Sequence, residues 1–469
     1  MEQNGFATLG TDLLTGKGLS MENMITAPTN KDQAIEPFNI ADLAKTMVIG
    51  DSNAGKIKVL SIPSDKQGVG KYRSIDPHKM LHKLFKDEFY VEINPTPDYK
   101  DEAYFKKFDI IHIHKAPSND YENGIKVVND IKSWGCKVIV DNDDYWEVDS
   151  FSPHYRGMIM YKVHEKLRGI VAAADWVTTT TPLFAEEIKK YNKNVVVIPN
   201  AIDPEESQFQ PKPIKSDRIR IGFLGGSSHA DDIELLNGVV NRFLPEQDKI
   251  QTVLVGFDLR GSMIEGIENG KLKRRAMTPE ETVWYGYEKV FTSADMLVGK
   301  YPDYLKYLKR YTPEEYDPNE PERERNMPYR RLWTRDINNY ARNYNHLDIS
   351  LAPLVANKFN MFKSQLKVVE AGFYRKALVA QNFGPYTLDL IDIFDYSNKG
   401  TPMAINPKGN AALIDSRKNH KQWYQVIKKL VDNPELITLM GNNLYETVKD
   451  KYDLNTVTVQ RAAFYQSIL

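Results

Sequence analysis

The amino-acid sequence predicts an α/β protein in which two Rossmann-like domains face a central cleft. From residue 57 onward, short apolar segments with the character of buried strands alternate with segments of helical character. This alternation is typical of parallel sheets covered by helices on both faces. It restarts near residue 218 after a polar, proline-containing run, and 469 residues exceed what one ordinary core accommodates. We therefore expect two domains of similar construction.

The predicted domain boundaries follow these changes of pattern. Residues 1–55 lack sustained periodicity and are interpreted as an N-terminal extension. The N-terminal domain covers residues 56–210, and the C-terminal domain covers 211–445 with an insertion at about 261–340. A C-terminal helix occupies residues 446–469.

Composition limits the classes of function. Lys and Arg total 62 against 63 Asp and Glu, so no global charge attracts the chain to nucleic acid or membrane, and any polyanion site must be local. Cys136 is the only cysteine, which excludes an intrachain disulfide. No apolar run approaches the roughly 20 residues that span a bilayer, and the first residues lack the order of a signal peptide. We expect a cytoplasmic protein.

Candidate cleft residues of the N-terminal domain follow its predicted strands. The first strand, IKVLSIP, leads into a loop whose glycines allow a ligand to approach the backbone closely. The strand FDIIHIH carries two histidines on one face at its carboxyl end, where open parallel sheets bind ligands. Structural histidines with satisfied hydrogen bonds are an equally good interpretation, and the absence of compact metal-ligand spacing predicts no metal site. The candidates are Gly68, Gly70, Lys71, Arg73, His112, Asp143 and Asp144, with His114 as the candidate catalytic contact.

The stretch 347–380 predicts a strand, a polar loop, a helix and a second strand in quick succession. Ser364 can cap this helix, and Lys363 and Lys367 flank its first turn. A cation at the positive amino end of an empty helix is unfavourable by roughly 0.3 to 1 kcal/mol. An anion bound there makes the placement of the cation favourable. We therefore predict a phosphate site here, with Glu370 accepting hydrogen bonds from sugar hydroxyls. An exposed ion pair between Lys367 and Glu370 is the alternative.

A second glycine loop lies near the start of the C-terminal domain. The segment RIRIGFLGGSSHADDIELL predicts a strand, this loop and a helix. Gly225 and Gly226 leave room for a phosphate or sugar, Ser227 adds a hydroxyl, and His229 stands in the same loop. Arg260 follows the next predicted strand as a further candidate phosphate contact. The same candidate site includes Lys363, Ser364, Lys367 and Glu370.

These residues carry a resemblance to a known family. An apolar strand with proline, a loop, a helix with Glu370, Ala371 and Gly372, and a strand ending near Gly384 resemble the donor-sugar-binding segment of retaining GT-B glycosyltransferases of family four. Those enzymes usually carry two glutamates with seven residues between them. Glu370 matches the second, which contacts the nucleotide ribose, whereas Phe362 occupies the first position.

The resemblance implies the GT-B fold and transfer of a sugar from a nucleotide-diphosphate donor to an acceptor hydroxyl with retention. It implies that the residues grouped above around the second glycine loop bind the donor, and that the C-terminal helices brace the two domains. It also implies that no cofactor or metal is required. On this interpretation, His114, Lys363 and Glu370 are the catalytic candidates.

Part of the sequence is closest in character to glycosyltransferases of T4-like tailed phages. This likeness rests on the series FN, KS, K and E and on YRRLWTRDINNYARNYNHLDISLAPL just upstream. It implies a location in the host cytoplasm and, as a hypothesis, hydroxymethylated cytosine in phage DNA as the acceptor. Basic and aromatic residues interleave between residues 261 and 346, which suits DNA contact, although mixed charge is also typical of solvated surface. The expected phosphate contacts are Lys271, Lys273, Arg274, Arg275, Arg330 and Arg331.

Other functions fit the same patterns. The acceptor can be a saccharide or a protein. A catalytically inactive GT-B-like binding protein is a second alternative, which the missing first glutamate suggests. A sugar-phosphate epimerase of similar architecture is a third. The sequence does not specify the sugar, the nucleotide base or the oligomeric state.

Overall fold

The computed structural model describes residues 47–49, 55–65, 68–117, 122–148, 155–212, 214–268, 271–292, 327–396, 402–415 and 420–469. Within these ranges the chain forms two large sheets, one in each half, with helices packed against them. Within these two sheets, neighbouring strands are parallel, apart from one edge strand of the first sheet. The predicted α/β class is therefore confirmed.

The first sheet contains seven strands in the order β1-β3-β2-β4-β5-β6-β7. The edge strand β1 pairs antiparallel with β3, and it lies within the predicted extension 1–55. Residues 1–46 of that extension lie outside the described ranges. The strands are β1 (Met47–Ile49), β2 (Ile57–Ile62), β3 (Phe89–Ile93), β4 (Ile110–His114), β5 (Lys137–Asn142), β6 (Trp176–Thr179) and β7 (Val195–Val197).

Helices connect these strands and cover their apolar residues. Local sequence explains the last of them, because Thr181 accepts a hydrogen bond from the Phe184 amide at 3.2 Å and Pro182 suits the first helical turn. A helical turn at Gly68–Gly70 and a π-helical segment at Lys71–Ile75 run directly into α1. The helices are α1 (Asp76–Leu84), α2 (Glu102–Phe105), α3 (Gly124–Ser133), α4 (Tyr155–Met160), α5 (Val163–Ala173) and α6 (Pro182–Ile188).

The second sheet contains six parallel strands in the order β12-β9-β8-β13-β14-β17. The central strand β8 restarts the alternation at the position that the sequence predicts. Its strands are β8 (Ile219–Leu224), β9 (Ile250–Phe257), β12 (Tyr329–Trp333), β13 (Ile349–Ala352), β14 (Ala377–Gln381) and β17 (Ala412–Ile414). Two antiparallel hairpins stand apart from it, namely β10 (Ser262–Glu268) with β11 (Lys271–Ala276), and β15 (Phe394–Tyr396) with β16 (Pro402–Ile405).

The predicted insertion at 261–340 contributes two elements to the second core. Trp284, Tyr287 and Tyr329 from this range are buried in the same apolar cluster as Phe223 of β8. A 3-10 helix, Tyr340–His346, follows β12. The helices of this half are α7 (Ala230–Glu234), α8 (Val239–Arg242), α9 (Val283–Phe291), α10 (Lys358–Met361), α11 (Leu366–Phe373), α12 (Lys421–Asp432) and α13 (Pro434–Val448).

The last helix, α14 (Leu454–Ser467), returns to the first sheet. Its Phe464 ring packs against Trp176 with 5.5 Å between ring centroids, and the Tyr465 hydroxyl lies 2.9 Å from His78 Nε2. The chain therefore passes from the first sheet to the second and ends against the first. Among the described residues, no helix has the length and apolar character needed to cross a membrane.

Candidate active site

The loop after β8 exposes its backbone at the carboxyl end of the second sheet. An added Cβ at Gly225 would lie 2.4 Å from the Phe223 ring and 3.0 Å from Lys367 Nζ, so a larger residue would displace both neighbours. An added Cβ at Gly226 would meet nothing within 4 Å. The loop therefore approaches Lys367 closely on one side and borders open space on the other.

Tyr287 of α9 holds this loop in one shape. Its hydroxyl accepts a hydrogen bond from the His229 amide at 2.8 Å and donates to the Ser227 carbonyl at 2.9 Å. The Tyr287 ring is buried beside Trp284, with 5.1 Å between ring centroids. The backbone of the glycine loop is thus fixed by a side chain from the segment predicted as an insertion.

His229 forms a buried pair with Asp232. The two side chains are 2.7 Å apart, and Asp232 also accepts hydrogen bonds from the Val355 amide at 2.7 Å and from Asn360 Nδ2 at 3.0 Å. Burial and the nearby lysine charges lower the pKa of His229 to about 4, although Asp232 opposes the shift. The ring is therefore neutral at neutral pH, and its Nδ1 hydrogen points at the carboxylate.

Lys367 reaches the glycine loop from α11. Its Nζ donates to the Leu224 carbonyl at 2.5 Å and lies 4.6 Å from the centre of the Phe223 ring. Burial and the charge of Lys363 together lower the pKa of Lys367 to about 8, although Glu370 opposes the shift. Lys367 therefore lies beside the glycine loop, and Lys363 is near enough for its charge to act on Lys367. Like charges held together in this way favour an anion between them.

Glu370 is buried beneath tyrosine side chains. It is 3% exposed, and its two oxygens accept hydrogen bonds from Tyr340 and from Tyr344, the latter at 3.1 Å. The Tyr340 hydroxyl also lies 2.5 Å from the Tyr72 hydroxyl of the first half. Burial raises the pKa of Glu370. The interpretation of Lys367 and Glu370 as an exposed ion pair is wrong, because the carboxylate is buried and accepts hydrogen bonds from the two tyrosines.

The segment before α11 joins the two halves of the chain. Ser364 does not cap the helix as expected. The capping position belongs to Gln365, and Ser364 Oγ accepts a hydrogen bond from Asn200 Nδ2 at 3.1 Å. Phe362, which stands at the first-glutamate position of the resembled family, packs on Phe184 with 5.5 Å between ring centroids. The cleft is closed at this point by direct contacts between the halves.

Arg260 makes local contacts. Its guanidinium forms a two-pronged ion pair with Asp258, with distances of 2.9 Å from Nε to Oδ1 and 2.7 Å from Nη2 to Oδ2. The side chain is 58% exposed. A phosphate contact by Arg260 would therefore compete with this pair.

The glycines near the first strand lie in a helical turn and not in the loop that the sequence predicts. An added Cβ at Gly70 would lie 1.8 Å from the Asp65 carbonyl oxygen, so the close approach of the chain to itself explains this glycine. An added Cβ at Gly68 would lie 3.4 Å from Ile337 of the second half. Lys71 pairs with Asp76 at 2.6 Å and with Glu206 at 3.1 Å.

Arg73 is not exposed to the cleft. Its guanidinium is completely buried and forms a two-pronged pair with Asp141, at 2.9 Å and 2.7 Å. It also donates to the Ile198 carbonyl at 2.7 Å and to Asn200 Oδ1 at 3.1 Å. Through these contacts, Arg73 connects β5 to the segment at Ile198 and Asn200 near the end of the first half.

The two histidines of β4 are buried. His112 lies 3.6 Å from Asp141, and burial lowers its pKa to about 4 even though the carboxylate opposes the shift. Ser64 and Asp143 contact the two ring nitrogens of His114 at 2.7 Å and 3.1 Å. The geometry of His114 matches the alternative of a satisfied structural histidine, whereas Nδ1 of the buried His112 has no hydrogen-bond partner among the described residues.

Lys115 joins the two predicted cleft aspartates. Its Nζ lies 3.3 Å from Asp143 and 3.1 Å from Asp144. The sequence interpretation overlooked this lysine. No group of three potential metal ligands occurs among the residues that the structure describes.

The predicted basic surface is divided between hairpin and core. Lys273 and Arg274 are exposed on β11, and Arg275 pairs with Glu281 at 2.6 Å. Arg331 is completely buried and pairs with Glu288 at 2.6 Å, so the expected DNA contact by Arg331 is wrong. Arg330 is 9% exposed. The side chain of Lys271 lies outside the described part of the structure.

Comparison with solved structures identifies the architecture. The chain is similar to the HepE protein of Anabaena in complex with UDP and glucose, at 12% identity and a TM-score of 0.51, over 88% of this chain and 99% of that one. It is similar to sucrose-phosphate synthase from Thermosynechococcus elongatus, at 11% identity and a TM-score of 0.53, over 88% and 98%. The catalytic domain of starch synthase IV from Arabidopsis thaliana, bound to ADP and acarbose, shares 10% identity, with a TM-score of 0.50 over 89% and 99%.

These likenesses define the class of fold, and the chain has the GT-B fold. The family-level resemblance in the sequence predicts this fold correctly. No family model and no curated protein matches the sequence.

Proposed function

We propose that this chain is a glycosyltransferase that transfers a sugar from a nucleotide-diphosphate donor bound to its second half. One observation carries the proposal. Lys367 of α11 lies against the open glycine loop after β8, and the charge of Lys363 acts on the same place. A helix start, exposed loop backbone and two ammonium groups together form a site suited to a diphosphate.

The solved structures support the same class of ligand. HepE was determined with UDP and glucose, and starch synthase IV with ADP and acarbose. From these proteins we extend to this chain only the chemical class of the ligand, which is a nucleoside diphosphate together with a sugar. The fold alone does not specify an activity, so the proposal rests on the local arrangement around Lys367.

The reaction follows from where charge develops. When the bond between the sugar and the diphosphate breaks, negative charge grows on the leaving phosphate. Lys367, which already lies beside the glycine loop, and Lys363 can stabilise that charge. Glu370 acts as a positioning residue, since its hydrogen bonds to Tyr340 and Tyr344 hold α11 against the preceding 3-10 helix. Retention at the anomeric carbon is part of the proposal and derives from the family resemblance.

The acceptor is the finer part of the proposal. Exposed Lys273 and Arg274 on the β10–β11 hairpin are the groups that suit a DNA backbone, and hydroxymethylated cytosine is the base hypothesised from the phage-like sequence. To test this, the protein is incubated with mixed nucleotide sugars and, in separate reactions, with hydroxymethylated DNA, saccharides or proteins as acceptors. Mass spectrometry should detect one sugar added to one acceptor class, and NMR of the product should show the donor's anomeric configuration. Consumption of no donor would favour the inactive binding protein, and free sugar of altered stereochemistry would favour the epimerase.

Substitution of Gly226 by alanine is expected to weaken binding of a nucleoside diphosphate without changing stability. The new methyl group meets no protein atom within 4 Å, so it projects into the space that the phosphates should occupy. Calorimetry and thermal unfolding measure the two quantities. The variant Ser228→Ala, in the same exposed loop, controls for general effects on the loop. An unchanged affinity in the Gly226→Ala variant would contradict the placement of the phosphates at this loop.

Donor affinity is expected to fall as pH rises through about 8. Lys367 has a pKa lowered to about 8, so it loses its positive charge above that pH and then attracts a diphosphate less. The loss cannot exceed about tenfold per pH unit for one proton. Calorimetry between pH 7 and pH 9.5 measures it. The Lys367→Arg variant should show a flatter profile, because a guanidinium keeps its charge throughout this range. Parallel profiles for both proteins would contradict this role of Lys367.

A further inference from the structure

A cavity lies beside the amino ends of β8 and β9 and extends along β12. Its volume is about 330 Å³, and it is enclosed by the linker at Ile214 to Ser216, the first residues of β8 and β9, and β12. Arg220 is the second residue of β8 and is paired in register with Gln251 of β9. Leu332 pairs in register with Val255, so the cavity also extends along β12 toward the carboxyl end of the sheet, but none of its lining residues belongs to the proposed donor site.

Positive charge dominates the walls of this cavity. Lys215, Arg220, Arg330 and Arg335 line it, and no acidic residue is among the lining residues in the described part of the chain. Asp348, behind the wall, forms a two-pronged pair with Arg220 at 2.9 Å and 2.7 Å and offsets one of these charges. Several cations that converge on a partly enclosed space create a local potential that attracts anions.

His346 adds a directed hydrogen-bond donor. Arg330 Nη1 lies 2.9 Å from His346 Nδ1, and because arginine can only donate, Nδ1 is the acceptor and the ring hydrogen resides on Nε2. Burial and the charges of Arg330, Arg220 and Arg335 lower the pKa of His346 to about 3. The ring therefore stays neutral and offers its Nε2 hydrogen as a donor.

We propose that this cavity binds a small phosphorylated molecule, with its phosphoryl groups held by Arg330, Arg335 and Lys215. A space of this size suits a small ligand, and guanidinium groups match phosphate oxygens in two-pronged geometry. Ile214 and Leu332 supply an apolar side for the remainder of the molecule. Because the linker forms one wall, the bound ligand ties the connection between the two halves to the second sheet. The site is independent of the proposed donor site.

The test uses inorganic pyrophosphate as the probe and the full chain in isothermal titration calorimetry. Lys215 and Arg335 are both exposed, so the pair K215Q/R335Q should fold normally, and circular dichroism verifies this. The pair K363A/K367A removes the other expected pyrophosphate site, and Lys289→Gln on α9 controls for loss of surface charge. We expect the K363A/K367A protein to retain one pyrophosphate site, and the addition of K215Q/R335Q to weaken that site at least tenfold.

Three results would overturn the proposal. One is the loss of all pyrophosphate binding in K363A/K367A. Another is binding in that background that K215Q/R335Q leaves unchanged. The third is competition in which duplex DNA displaces the probe from the K363A/K367A protein while free nucleotides and sugar phosphates do not, since the cavity would then belong to a nucleic-acid surface.

Discussion

Replacement of Arg73 by methionine is expected to lower the free energy of unfolding by about 3 to 5 kcal/mol. The substitution leaves the Asp141 carboxylate buried without its guanidinium partner, in a place where neither side chain has exposed surface. Burial raises the pKa of Asp141, and the charge of Arg73 outweighs this effect and holds the pKa well below its ordinary value. Chemical denaturation followed by circular dichroism measures the loss.

Two comparisons distinguish this structural role from the acceptor contact that the sequence suggested. Lys71→Met should cost less, because the partners of Lys71, Asp76 and Glu206, are about one quarter exposed. The double variant R73M/D141L should be more stable than R73M alone, since it removes the unpaired charge as well. In R73M the stability deficit should also shrink as acid protonates Asp141. A stable R73M protein that had lost only its acceptor affinity would contradict the structural assignment.

The Lys363→Ala and Lys367→Ala variants are each expected to weaken nucleoside-diphosphate binding by roughly 1.5 to 3 kcal/mol, or about tenfold to a hundredfold. Each substitution removes a charge-assisted hydrogen bond to phosphate. For Lys367 the free protein already shows the group in place beside Gly225. Calorimetry with UDP, ADP, GDP and CDP measures the effect.

Lys289→Ala provides the matched control, because it removes an exposed lysine that lies over the Tyr285 ring on α9. Its affinity should equal that of the unmodified protein. The two site lysines are coupled, since the charge of Lys363 lowers the pKa of Lys367. Removing either lysine leaves the other more fully charged, which offsets part of the single loss, so the double variant should lose at least the sum of the two single losses. If both single variants keep the affinity of the unmodified protein, these lysines do not contact the phosphates.

The fold could be predicted because its signal is local. Alternating apolar strands and helices, and a restart of that alternation after a polar linker, lie in consecutive residues. The start of the first long helix could not be predicted in the same way. Glycines usually indicate a loop, but Gly70 lies in a helical turn. The residue must be a glycine there because the Asp65 carbonyl passes too close for any Cβ.

The candidate site could be predicted only in part. The glycine loop and Lys367 come together as expected, since both follow the carboxyl ends of neighbouring strands. The pairing of Arg331 with Glu288 and of Arg73 with Asp141 joins distant segments and has no local pattern. Tyr340 and Tyr344 also lacked a usable signal, because a spacing of four residues indicates a shared face on an α-helix, whereas these two lie in a 3-10 helix.

A crystal structure of the protein with a bound nucleoside diphosphate tests the central claim most directly, because it measures where the diphosphate lies. We predict that its phosphates lie over Gly226, within hydrogen-bond distance of the ammonium groups of Lys363 and Lys367. Phosphates bound elsewhere, including the arginine-lined cavity beside β12, would contradict the proposed donor site.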